Sequence, residues 1–120
     1  MTKVLFLDDM IVRANVMRTK FPDLRHATTS SHAIQYLYGE YYELVCLDYD
    51  LDLSLPGDNG MKVVGWLVGS SVPSRLMSTE YVVHSTNLLM GTKMVHRLTE
   101  AGFSAHYVPF TYLMGGPFNK

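Results

Sequence analysis

A chain of 120 residues, 48% apolar and 18% charged, has enough apolar side chains for one packed domain spanning residues 1–120 and too few charges for a disordered tail. Its formal net charge of −1 excludes the overall basic field that draws proteins to double-stranded DNA or anionic membranes, yet leaves room for a local phosphate site. The single cysteine, Cys46, excludes an internal disulfide, and no apolar run reaches the roughly 18 residues needed to span a bilayer.

Read from the amino terminus, Lys3–Leu7 is a compact apolar run that enters directly as a strand, without the pattern of a secretory leader. A cytoplasmic location is the expectation. Met10, Ala14, Met17 and Phe21 recur at helical spacing and predict a helix from about Met10 to Lys20, stopped by Pro22. Leu24–Ala27 is a short second strand. Ser30 or Ser31 is placed to cap the next helix, whose stripe is Ile34, Leu37 and Tyr38 and which Gly39 closes. Tyr36, Tyr38, Tyr41 and Tyr42 concentrate aromatic area there for packing or a partner surface.

Leu44–Leu47 is apolar at every position, as expected of a central parallel strand covered on both faces, and Cys46 within it reads as a core residue. Asp48 to Asn59 is irregular. Gly60 to Gly69 predicts a helix burying Val63, Val64 and Leu67; Thr79–Val83 predicts a fourth strand. Thr92–Ala101 is the clearest helix, with Met94, Val95, Leu98 and Ala101 on one stripe and Gly102 as its stop. Phe103–Val108 is a fifth strand, followed by a Gly/Pro-containing tail. Five strands alternating with helices imply a doubly wound three-layer α/β domain, and the preferred topology is the flavodoxin-like fold with a five-stranded parallel sheet in the order 2-1-3-4-5.

In that order strands one, three and four are neighbours, and their tips are polar: Asp8 and Asp9, then Asp48 and Asp50, then His84, Ser85, Thr86 and Asn87. Ligands of open α/β sheets bind at this edge. Crowded carboxylates repel one another, and a hard divalent cation such as Mg²⁺ or Mn²⁺ relieves the repulsion through oxygen ligands. Asp8, Asp9 and Asp48 are the first candidates as metal ligands, with Asp50 as a further one. Asp52 and Asp58 lie farther into the loop and read as turn residues. His84 is a candidate for proton transfer, phosphate binding or metal ligation. Ser85 and Asn87 offer small polar groups to a phosphate, and Arg13, about one turn beyond Asp9, can reach one. Against this stands a bland alternative: an Asp before a helix is often its N-cap, the residues after His84 can form an ordinary turn, and Arg13 can lie on a solvated face. His26, His32, His96 and His106 show no metal-ligand spacing and stay outside the candidate site.

The pattern resembles receiver domains of two-component response regulators over nearly the whole chain: Asp8-Asp9 match the acidic pair, Asp48 the phosphoacceptor and Ser85 the hydroxyl position. In receivers those acids bind Mg²⁺ and the aspartate accepts a phosphoryl group. Val108-Pro109-Phe110 stands where receivers usually carry Lys-Pro-Phe, which argues against an ordinary phosphorylation switch. A closer resemblance is to the cyclic-phosphate-processing receivers. It rests on Leu5-Phe6-Leu7-Asp8-Asp9 with Arg13, Leu47-Asp48-Tyr49-Asp50-Leu51, Asn59-Gly60 leading into Val63-Val64-Gly65-Trp66-Leu67, and His84-Ser85-Thr86-Asn87. That family often has His where this chain has Tyr49. The resemblance implies a receiver-like fold and a metal-dependent phosphoesterase acting on a cyclic phosphate of a nucleotide or RNA end, with His84 and Asp48 in the chemistry. The rival expectations are a module that binds a nucleotide signal without turning it over, and a receiver phosphorylated on Asp48. Phe110, Tyr112, Leu113, Met114 and Phe118 make the tail apolar; they are expected to cover the domain or to join two copies of the chain.

Overall fold

A computed structural model describes residues 2–51, 56–69 and 71–115. Its elements run β1 (Val4–Leu7), α1 (Ile11–Arg18), β2 (Arg25–Ala27), α2 (Ser30–Gly39), β3 (Leu44–Leu47), α3 (Met61–Gly69), a 3-10 turn (Ser74–Ser78), β4 (Glu80–Val83), α4 (Leu88–Glu100), β5 (Ser104–Tyr107) and α5 (Phe110–Gly115). All strand pairs are parallel and the order is β2-β1-β3-β4-β5, as the alternating pattern predicts. Among the described residues no helix is long and apolar enough to cross a membrane.

The apolar runs explain the layers. Every residue of β1 and β3 is buried, because both strands are central and have helices over each face. Alternate residues face opposite ways. Leu5, Leu7, Val45, Leu47, Tyr81 and Val83 pack with Ala33 and Leu37 of α2, Val63, Val64 and Leu67 of α3, and Met94 and Leu98 of α4. Val4, Phe6, Cys46 and Val82 point the other way, to Ala14 and Met17 of α1 and to Val108 and Leu113. The edge strand β5 is exposed at Ser104 and His106 and buried at Ala105.

Three boundaries depart from the sequence reading. Helix α2 is capped by Thr29, whose side chain accepts the His32 amide at 3.2 Å; neither Ser30 nor Ser31 takes that role. Ser30 is buried instead, and both its amide and its hydroxyl donate to Asp58, a carboxylate supplied across the β3–α3 loop to the amino end of α2. Helix α4 starts a turn earlier than its apolar stripe, at Leu88, because Asn87 accepts the Met90 amide at 3.1 Å. The tail, given no element in the sequence reading, begins with α5, which places Leu113 in the core with Phe110 packed beside it. Phe118 lies outside the described residues, as does Asp52. The carboxyl end of α2 is closed by Arg75, whose Nη2 donates to the Leu37 and Tyr38 carbonyls at 3.1 and 2.7 Å.

Candidate metal and phosphate site

Register brings the site together. Leu7 is level with Leu47, and Leu47 with Val83, so the next residues, Asp8, Asp48 and His84, leave three adjacent strands at one height. The ladder continues through them: the Asp48 amide donates to the Leu7 carbonyl at 3.1 Å and the His84 amide to the Leu47 carbonyl at 3.0 Å. By the two-residue alternation all three side chains fall on the side of Phe6, the side covered by α1. There Arg13, near the start of α1, meets them.

Asp8 is the hub. Its Oδ1 accepts the Met10 amide at 2.8 Å, so it also supplies the turn into α1, whose N-cap residue Met10 has no capping side chain. Its Oδ2 accepts from His84 Nε2 at 3.0 Å and from Arg13 Nη1 at 3.3 Å. Arg13 Nη1 lies 3.7 Å from Asp48 Oδ2 as well, so one guanidinium faces both carboxylates. Asp8 and His84 are fully buried and Asp48 is 3% exposed. Unpaired carboxylates would not tolerate that burial.

The two acids respond differently. Burial opposes the charge on Asp8, but hydrogen bonds from His84 and the Met10 amide, together with the charges of His84 and Arg13, outweigh it and lower its pKa. Burial dominates at Asp48, and with the Asp8 charge it raises the pKa from 3.8 to about 6 against the pull of His84 and Arg13. Asp8 thus keeps its charge and Asp48 is the acid that yields.

A divalent cation fits this donor set. Asp8, Asp48 and His84 each offer one ligand atom, and those atoms lie within 4.8 Å of one another. His84 Nδ1 is buried with no hydrogen-bond partner among the described residues, which leaves imidazole capacity unused. Its ring is held in place by stacking on Phe6, 4.8 Å between centroids at 10°, and by Phe110 at 6.2 Å. Phe110 also lies under Arg13, with the guanidinium 5.5 Å from its ring centre.

The remaining candidates are placed differently. Asp9 is exposed and outside this group. Asp50 is exposed too, and its backbone forms an antiparallel bridge with Asn59 that draws the loop back toward α3. Ser85 is buried one residue past His84; its hydroxyl accepts the Asn87 amide at 3.0 Å and its carbonyl accepts the Tyr107 hydroxyl. Asn87 caps α4, a role absent from the sequence reading, which started that helix at Thr92. Two supporting residues escaped the sequence reading. His26 Nε2 bonds the Asp8 carbonyl at 2.7 Å, and Phe110 flanks both His84 and Arg13. Strand parity carries the signal for His26, which is in register with Phe6.

Gly60 packs directly against the backbone of Asp48. A Cβ there would collide with the Asp48 carbonyl oxygen and fall 2.9 Å from its carbon, and the Gly60 amide donates to the Tyr49 carbonyl at 2.9 Å.

Solved structures similar to this fold include receiver domains and response regulators. TrrA from Thermotoga maritima, a response regulator in complex with Mg²⁺ and BeF, is 17% identical, with a TM-score of 0.63 over 91% of this chain and 86% of that one. The Mn²⁺-bound form of the response regulator Rcp1 is 15% identical, with a TM-score of 0.68 over 96% and 91%. The non-phosphorylated HemR receiver domain from Leptospira biflexa is 18% identical, with a TM-score of 0.65 over 91% and 82%. At these identities the likeness establishes the fold. Among curated proteins none matches the chain in sequence. The profile of the cyclic-phosphate processing receiver domain matches residues 3–100, most of the chain and every strand tip of the site, and the chain belongs to that family.

Proposed function

We propose that the protein is a metal-dependent phosphoesterase that opens a cyclic phosphate of a nucleotide or RNA end. The observation that carries this reading is the convergence of two buried carboxylates, an imidazole and one guanidinium at the carboxyl edge of the sheet. Asp8 and Asp48, with His84 beside them, would hold Mg²⁺ or Mn²⁺. When bound, the cation would supply Lewis-acid polarisation of the phosphoryl group and activation of water.

The chain's own groups divide the remaining work. Arg13 balances both carboxylates from a partly exposed position, so it can turn to a phosphate without leaving its helix. His84 is fixed by Phe6 and Asp8, and its role is to orient the phosphate or to deliver a proton to the leaving oxygen. Ser85 and Asn87 shape the turn that carries the chain from His84 into α4. Asp9 and Asp50, exposed on the same strand tips, would add negative charge around a bound cation.

A second reading, capture of a nucleotide without turnover, is favoured by Val108 standing where receivers carry lysine and by Tyr49 between the two acids of the β3 motif. Mass balance separates the two. The protein is incubated with Mg²⁺ or Mn²⁺ and nucleoside 2′,3′- and 3′,5′-cyclic phosphates, and both the solution and the denatured protein are analysed by mass spectrometry. Product in molar excess over protein, lost in Asp48→Asn, is the expected result. Intact ligand recovered in proportion to protein means capture, and full turnover by a folded Asp48→Asn protein removes the assignment.

A further inference from the structure

We propose that Asp58 and Ser30 are positioning residues for the ion site: the tie between them fixes the backbone of Asp48. The inference rests on the metal reading of the site given above. Asp58 lies 28 residues after Ser30, and its carboxylate accepts both Ser30 donors, the amide at 3.0 Å and the hydroxyl. Ser30 is 5% exposed, so a buried serine has both donors engaged by one acid from a distant segment. A carboxylate that served its turn alone would bond its own nearby backbone or water.

Three consecutive residues then fix the end of the β3–α3 loop. Asp58 ties it to the first residue of α2. Asn59 accepts the Met61 amide through Oδ1 at 3.0 Å, at the start of α3, and its backbone bridges Asp50. Gly60 donates its amide to the Tyr49 carbonyl at 2.9 Å and packs so closely on the Asp48 carbonyl that a Cβ has no room. Releasing Asp58 therefore loosens the residues that rest on Asp48 and Tyr49.

The other end of the tie bears on Asp8. Just ahead of Ser30, the Ala27 carbonyl accepts the Asp8 amide at 3.1 Å, and His26 Nε2 donates to the Asp8 carbonyl at 2.7 Å. Residues 26–30 thus hold the backbones of both acids, one directly and one through Asp58. Helices α2 and α3 pack on the face of Leu5 and Leu7, whereas the side chains of Asp8, Asp48 and His84 fall on the face of Phe6. Asp58 acts through the backbone behind Asp48, not as a further ligand. Two carboxylates that share one ion must be placed to within about 0.5 Å, which their own strands secure only with such support.

The test is calorimetric titration of the full chain with Mg²⁺ and with Mn²⁺, beside thermal melting in EDTA, for Asp58→Ala, Ser30→Ala, their double variant and Thr29→Ala. Asp58→Ala is expected to weaken ion binding about tenfold, and Ser30→Ala, which keeps the carboxylate and its charge, about threefold. The double variant should be no weaker than Asp58→Ala, because the same tie is lost. Thr29→Ala removes the side chain that accepts the His32 amide and leaves the tie, so its melting temperature should fall with ion affinity unchanged. Unchanged affinity in folded Asp58→Ala and Ser30→Ala overturns the inference, as does equal weakening in Thr29→Ala, which would make the effect one of helix stability. A loss confined to Asp58→Ala that disappears at high salt is charge attraction and overturns it too. Should Asp58→Ala fail to fold, the comparison of Ser30→Ala with Thr29→Ala decides. Absence of ion binding in the unaltered protein removes the site and this inference together; the expected ion affinities without turnover keep the inference and remove hydrolysis.

Discussion

Replacing Asp48 with Asn in the metal-free protein should remove a pH-dependent contribution to stability whose sign is set by burial. In the folded protein Asp48 is held at about 6 rather than 3.8, through burial first and the Asp8 charge second. The folded state therefore binds more protons than the unfolded state between those values, and stability falls as pH rises through that window. The contribution is fully present below the unfolded value of 3.8 and is lost once pH passes about 6. The full separation corresponds to roughly 3 kcal/mol, an upper figure for a group coupled to Asp8, His84 and Arg13. The amide of the Asp48→Asn variant mimics the protonated carboxyl in shape and carries no charge. The variant should match the wild type near pH 4 and exceed it by about 1–3 kcal/mol near pH 8. Urea unfolding in EDTA, followed by fluorescence of Trp66, the single tryptophan, gives both profiles, and their difference cancels the carboxylates common to both proteins. Added Mg²⁺ should stabilise the wild type more than the variant at neutral pH, because binding to the folded state alone raises its stability. Parallel profiles in EDTA, or a variant that loses ground as pH rises, would refute the charge assignment.

Other perturbations test separate parts of the site. Arg13→Gln removes the cation that faces both carboxylates, so metal-free stability should fall by about 1 kcal/mol while Mg²⁺ binds roughly fivefold tighter, read by thermal melting with and without the ion. Equal or weaker Mg²⁺ affinity would show that Arg13 does not compete with the ion. Gly60→Ala forces a Cβ into the Asp48 carbonyl, and a backbone shift costing about 2 kcal/mol or more should weaken Mg²⁺ binding in calorimetry; unchanged affinity and stability would mean that the loop yields without moving Asp48. Burial pushes the Cys46 thiol well above its ordinary pKa, so alkylation by iodoacetamide at pH 8 should be negligible in the folded protein and rapid in urea.

The apolar run Leu44–Leu47 and the alternation of strands with helices determined the layers and the parallel pairing, because parallel strands buried on two faces need continuous apolar residues and crossover helices, and the preferred strand order is the one the structure adopts. Asp8, Asp48 and His84 were legible for the same reason: each is the first polar residue after such a run, and parallel pairing places those residues side by side. Helix ends were less legible. Thr29, Ser30 and Ser31 all have hydroxyls, and only the folded backbone decides that Thr29 reaches the His32 amide while Ser30 turns inward to Asp58. Asp9 and Asp50 looked equivalent to their neighbours in sequence, but parity and the end of pairing send them to the surface, whereas Asp8 and Asp48 stay buried. Nothing local tells that Arg13 spans two strand tips, that Phe110 and His26 support the centre, or that one carboxylate keeps its charge while the other yields. Those outcomes depend on distances between segments far apart in the chain and on the burial they create, and both exist only once the sheet and its helices have packed.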